Sequence, residues 1–151
     1  NYVIIDHGSD DGIFKGMPVV TQQGLVGRVD AVMATAARVQ LITDPNSVVN
    51  VRLENADIDA QVNGTISGDL TLEMVNLDVT LEQGDLVLTS GLGGSFPADI
   101  LLGQVLSIIR DENSLFQQAT IQPVVDFSNL RAVLVITNFK PVDYSVLTDD
   151  N

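Results

Sequence analysis

The side chains able to do covalent or acid–base chemistry are few and scattered. The chain has one histidine, His7, and no cysteine, which excludes disulfides, thiolate metal sites and a cysteine nucleophile. Two serines have glycine neighbours, Ser90 before Gly-Leu-Gly-Gly and Ser95 after Gly-Gly. A nucleophilic serine needs a base within hydrogen-bond reach and a shaped anion pocket, and neither stands in a G-x-S-x-G or acid-Ser-Gly setting. His7 therefore reads as a solvated turn histidine. Asp6, Ser9, Asp10 and Asp11 suggest a calcium loop, but counting from Asp6 puts Asp11 where glycine belongs and Met17 where the closing glutamate belongs. Gly91, Gly93 and Gly94 could cradle phosphate, yet no Lys-Ser/Thr pair follows them. Glu73, Asp78, Glu82 and Asp85 could supply a carboxylate pair, but they fall on outward strand positions and turns. No enzyme class, cofactor or metal site emerges from the residue types.

Composition narrows the classes further. Seven basic against 20 acidic residues give a net charge of -13, the opposite of what binding to a phosphate backbone requires. Nucleic acid is not an expected partner. With aromatic residues at 5% and no tryptophan, the stacking platform of a glycan-binding module is missing too. No apolar run approaches the ~18 residues of a membrane span.

The elements that must hold whatever site exists are short strands. Residues 26–33, 38–43, 49–53, 58–62, 70–74, 85–89, 105–110, 118–122 and 132–137 alternate or are β-branched, and turn residues separate them at about 8–12-residue spacing. Asp44-Pro45-Asn46-Ser47 and Asn63-Gly64 are strong turns. Asp126 is a suitable N-cap for a single helical turn through Leu130. Two stretches share a plan. Gly16 to Thr21 aligns with Gly84 to Thr89, placing Val19 on Val87 and Thr21 on Thr89, and Gly27-Arg28-Val29 matches Gly103-Gln104-Val105. The copies lie about 70 residues apart, too few repeats for a solenoid but suited to two related β units. An all-β fold of two small packed barrels follows, with about six strands each, a first barrel over residues 1–70, a second over 71–141 and a flexible acidic tail over 142–151; whether the two barrels are contiguous or exchange a strand is left open by the sequence.

Several strings resemble the extracytoplasmic core of the bacterial rod-shape-determining MreC family: residues 6–29, DHGSDDGIFKGMPVVTQQGLVGRV; residues 38–47, RVQLITDPNS; residues 84–97, GDLVLTSGLGGSFP; and residues 123–136, PVVDFSNLRAVLVI. The resemblance implies paired β-barrels without catalytic residues. It also implies a scaffold of the cell-elongation machinery on the periplasmic face of the inner membrane, anchored by an N-terminal helix and coiled coil that lie outside residues 1–151. Implied partners are the elongation-specific penicillin-binding transpeptidase, other membrane proteins of the rod complex and further copies of the protein itself. A degenerate paired-barrel protease and a periplasmic ligand-binding β module stand as alternatives. The chain departs from the family's pattern where Val48-Val49-Asn50 follows Ser47, and where Asp99 and Leu101 follow Phe96-Pro97.

If partner binding is written anywhere, it is in the run from Gly84 to Gly103. Leu92, Phe96, Pro97 and Ile100 either form an apolar patch for a partner or plug the end of their own barrel, on a frame of Gly91, Gly93 and Gly94.

Overall fold

The computed structural model describes residues 1–139 and 141; the expected acidic tail, residues 142–151, lies outside the described residues. Among the described residues eleven strands form two sheets. The strands are β1 (Tyr2–Ile5), β2 (Pro18–Val20), β3 (Leu25–Val32), β4 (Ala37–Leu41), β5 (Val48–Leu53), β6 (Ile58–Gly64), β7 (Leu70–Asn76), β8 (Leu86–Thr89), β9 (Leu101–Ile109), β10 (Phe116–Pro123) and β11 (Leu134–Val135). One sheet is five-stranded in the order β1-β4-β3-β2-β11, and the other is a closed barrel in the order β10-β7-β6-β5-β8-β9. All pairings are antiparallel.

The repeat seen in the sequence is built in hydrogen bonds. The Gly16 N–H donates to Val29 O at 2.7 Å and the Val29 N–H to Met17 O at 2.9 Å; the Gly84 N–H donates to Val105 O at 2.8 Å and the Val105 N–H to Asp85 O at 2.9 Å. Both hairpins carry a bulge at the same place, with Val19 opposite Gly27 and Val20 opposite Leu25, then Val87 opposite Gly103 and Leu88 opposite Leu101. The two strand glycines are steric necessities. A Cβ on Gly27 would sit 1.8 Å from Gln40 O, and one on Gly103 would sit 2.1 Å from Gln122 O.

The equivalence runs on into turns whose sequences are only loosely alike. The Asp44 side chain accepts from the Asn46 N–H at 2.9 Å, and that of Asp126 accepts from the Ser128 N–H at 3.1 Å. Each turn then carries the chain out of its own sheet. The Asp44 turn leads β4 into β5, which pairs with β8 in the barrel, and the Asp126 turn leads β10 through a single 3-10 turn (Phe127–Asn129) to β11, which pairs with β2. The registers correspond, Leu53 facing Val87 as Val135 faces Val19. The two units have thus exchanged a strand.

Of the two arrangements the sequence left open, contiguous or exchanged, the strand pairings show the exchanged one. The sheets do not divide at residue 70: β5 and β6 belong to the closed barrel and β11 to the first sheet, because each crossover turn aims its strand at the other unit. Among the described residues one unit closes with six strands and the other shows five. The hydrophobic interior divides accordingly. Leu53, Leu70, Leu72, Val87 and Leu102 centre the barrel, and Val19, Val26, Val29 and Val39 centre the other cluster. Phe127 packs against both, and Leu25 and Ile42 reach from the first unit into the barrel cluster. The two clusters meet at Phe127, so the units pack against each other, which suits segments too small to bury enough surface separately.

Three strand expectations need adjustment. Met74, expected to alternate inward after Leu70 and Leu72, has φ 68° and is exposed, and Val75 turns inward instead. It occupies a bulge, where one extra residue reverses the alternation. The outer half of β9, apolar and β-branched enough in sequence to suit a buried strand, instead exposes Leu106, Ile108 and Ile109. The strand expected over residues 132–137 is confined to Leu134–Val135, with one residue exposed and one half-buried.

Candidate functional site

The loop between β8 and β9 is the elaborated version of a tight turn. In the first unit Thr21 and Gly24 face each other across two intervening glutamines: the Thr21 N–H donates to Gly24 O at 2.9 Å, and the Thr21 hydroxyl accepts from the Gly24 N–H at 3.4 Å. In the second unit Thr89 and Ile100 make the same pair of bonds, both at 2.8 Å, with the whole stretch from Ser90 to Asp99 looped out between them. The buried Thr89 hydroxyl also donates to Pro97 O at 2.6 Å, so one side chain ties the neck of the loop.

Within the loop the glycines do what their type allows. Gly91, Gly93 and Gly94 all have positive φ, at 80°, 80° and 70°, around the 3-10 turn Leu92–Gly94. Asp99 also lies in the left-handed region at φ 71°, a conformation its short polar side chain tolerates. The Arg52 guanidinium on β5 donates to Asp99 Oδ1 at 2.7 Å, and Asn50 on the same strand donates to Leu92 O at 3.1 Å. The partnership with Asp99 raises the Arg52 pKa from its ordinary value. The loop is therefore folded over the outer face of β5 and held at both shoulders.

The four apolar residues divide by role. Phe96 is 8% exposed and belongs to the barrel cluster, with Ile100 packed against it. Phe96 thus faces the barrel interior, while Ile100 is half-buried beside it. Pro97 is half-buried, whereas Leu92, 54% exposed, stands out on the 3-10 turn.

The other candidate groups do not converge. His7 Nδ1 lies 2.8 Å from Asp11 Oδ2 and the ring also faces Asp6, so the imidazole pKa is raised, chiefly by the Asp11 hydrogen bond. Neither serine shares in this: the Ser90 hydroxyl accepts from the Leu92 N–H at 3.1 Å within its own loop. Ser9–Asp11 form a 3-10 turn closed by Gly12 at φ 80°. Among the described residues no three His, Cys, Asp or Glu side chains gather as a metal site. Asp85 is buried for a structural reason, accepting from Asn55 Nδ2 at 2.8 Å and from the Glu82 N–H at 3.0 Å, while Asp78 and Glu82 are exposed. No helix among the described residues is long and apolar enough to cross a membrane.

Among the described residues the fold is a closed six-stranded barrel beside a five-stranded antiparallel sheet, with the β8–β9 loop pinned to β5. Residues 1–137 match the family described as rod shape-determining protein MreC, barrel core, and the chain belongs to that family. The cell shape-determining protein MreC of Listeria monocytogenes is 37% identical over 139 residues, covering 89% of this chain and 47% of the relative. That of Haemophilus influenzae is 33% identical over 135 residues, covering 89% of this chain and 38% of the relative. The chain thus spans less than half the length of either. A solved structure of Listeria MreC superposes with a TM-score of 0.84 at 32% identity, covering 96% of this chain and 71% of that one. The MreC of a Helicobacter pylori complex with penicillin-binding protein PBP2 shares the fold at a TM-score of 0.66 and 20% identity, covering 78% of this chain and 74% of that one.

Proposed function

We propose that this chain is the extracytoplasmic core of a non-catalytic scaffold for cell elongation. It binds the elongation-specific penicillin-binding transpeptidase and other membrane proteins of the rod complex, and it associates with further copies of itself. The observation that carries the reading is the family match across residues 1–137, among relatives described as cell shape-determining. The complex solved for the Helicobacter pylori relative supports the transpeptidase as partner. A further relative of this fold is described as the periplasmic domain of a cell shape-determining filament, which supports self-association and a periplasmic location.

The geometry suits such a role. A scaffold gains from a contact surface that is ordered before the partner arrives, because less conformational freedom is then lost on binding. The loop from Ser90 to Ile100 has that character: Phe96 anchors it below, Arg52 and Asn50 hold it from the side, and Leu92 is left at the tip. The test is binding of the folded chain to the periplasmic part of the elongation transpeptidase, measured by biolayer interferometry. Leu92→Ser is expected to weaken affinity by about tenfold, the effect of losing one exposed apolar anchor. Unchanged affinity in this variant would remove the loop from the reading, and no binding by the parent chain would remove the transpeptidase.

A further inference from the structure

Exposed apolar side chains gather at the end of β9 farthest from the β8–β9 loop. Met74, Leu106, Ile108, Ile109 and Leu115 are between 39% and 81% exposed. The strand register draws them together. Ile109 stands opposite Gln118 and Ile108 opposite Ala119, and Gln118 reaches across to Glu73, the neighbour of Met74, at 3.5 Å. Leu115 leads into β10 from the same hairpin. The β8–β9 loop enters β9 at Leu101 and this cluster leaves it at Ile109, about 26 Å away along an extended strand, so the two surfaces are separate.

The cluster is held in place from both sides. Met74 lies in the left-handed region at φ 68°, which an unbranched apolar side chain accepts less readily than glycine, asparagine or aspartate. Such strain persists where the surrounding structure imposes it, and ligand clamps are where it collects. Here it displays Met74 while turning Val75 inward. The hairpin beside it is tethered: the Arg110 guanidinium donates to Leu77 O at 2.7 Å, and the buried Gln117 amide donates to Asn76 O at 2.9 Å and to Val79 O at 2.5 Å.

Charge chooses the occupant. Glu73 and Asp78 flank the bulge, Asp111 and Glu112 form the hairpin turn, and the cation of this stretch, Arg110, is bonded to a carbonyl. A second copy would bring the same carboxylates and its own net charge of -13, and an anionic bilayer would be repelled in the same way. We infer that the Met74 bulge and the β9–β10 hairpin form a docking surface for an amphipathic polypeptide segment of a partner, apolar on one face with lysine or arginine beside it. The apolar side chains receive that face and the four carboxylates receive the cations. Because the hairpin is already tethered, less freedom is lost when the segment docks. This surface is additional to the loop contact proposed above and does not depend on it.

The test is proton–nitrogen NMR of the whole 151-residue chain titrated with a designed amphipathic leucine–lysine peptide, and with its leucine–glutamate counterpart. Saturable shifts are expected over residues 73–76 and 106–116 with the first peptide and none with the second. Ile109→Ser with Leu115→Ser should weaken the leucine–lysine peptide at least about tenfold, with circular dichroism unchanged. Asp111→Asn with Glu112→Gln should weaken it about threefold and flatten its salt dependence. Met74→Gly, which removes the strain, should raise the urea midpoint while weakening the peptide. Leu92→Ser should leave the peptide's affinity as in the parent, which separates this surface from the loop. The inference is overturned if the shifts fall elsewhere or spread over the whole surface, if the leucine–glutamate peptide binds as well, or if Met74→Gly lowers the midpoint. It is equally overturned if the hairpin resonances move with protein concentration alone, which would make the occupant a second copy, or with phosphatidylglycerol vesicles alone, which would make it a bilayer.

Discussion

The β2–β3 and β8–β9 hairpins start from the same frame and differ in what hangs from it. Both have a glycine with positive φ at entry, a bulge after the second strand residue, a glycine pressed against a neighbouring carbonyl, and a threonine that ties the two strands where they part. One threonine closes a turn containing two glutamines; the other gathers the neck of a loop with a buried phenylalanine and an exposed leucine. The frame is common property, so the frame is not where the units acquire different tasks. The insertion is, and it could grow because the bonds at its base already fixed where both strands go.

Substitutions can break that comparison in graded fashion. The frame glycines should be the most sensitive: Gly27→Val and Gly103→Val each drive a side chain into backbone and should cost more than about 4 kcal/mol, read as loss of soluble, β-rich protein by circular dichroism. If only one of them is harmful, the two hairpins are not equivalent in energy as they are in geometry. Next comes the anchor. Phe96→Ala removes a buried ring and should cost about 3–5 kcal/mol in urea unfolding, whereas Leu92→Ala, at the exposed tip, should stay within about 0.5 kcal/mol. Thr89→Val strips a buried hydroxyl that serves Pro97 O and the Ile100 N–H, and should cost about 1–3 kcal/mol. Thr21→Val, at a more open position whose turn lacks the Pro97 bond, should cost less than about 0.5 kcal/mol.

The smallest effect concerns charge. His7 has a raised pKa through Asp11 and Asp6, so its contribution to stability is complete below the unfolded value near 6.5 and disappears as pH rises through the folded value. Proton NMR titration should place the folded pKa above 6.5, and Asp11→Asn should lower it.

Much of this was legible in the residues. Period-two alternation located most strands, the paired glycine-threonine plan revealed the duplication, and Asp126 announced its turn. What stayed hidden was partnership. The turns at Asp44 and Asp126 make the same bonds, but one reads Asp-Pro-Asn-Ser and the other Asp-Phe-Ser-Asn, and nothing local says that each sends its strand to the other unit. The bulge at Met74 was hidden for a related reason: an extra residue leaves no mark in composition, only in which neighbour ends up inside. At the candidate loop, type and spacing picked out Leu92, Phe96, Pro97 and Ile100 together, whereas the split between plug and tip depends on how the glycines bend the chain.

Placing β1 and β11 in the same sheet has a mechanical consequence. A pull applied between the two ends of the described chain is borne first by the β1–β4 and β2–β11 ladders, and the barrel, strung between them as a closed excursion, carries none of that load until those ladders give way. The barrel and its loop can thus keep their shape while the sheet takes the strain of whatever lies on either side.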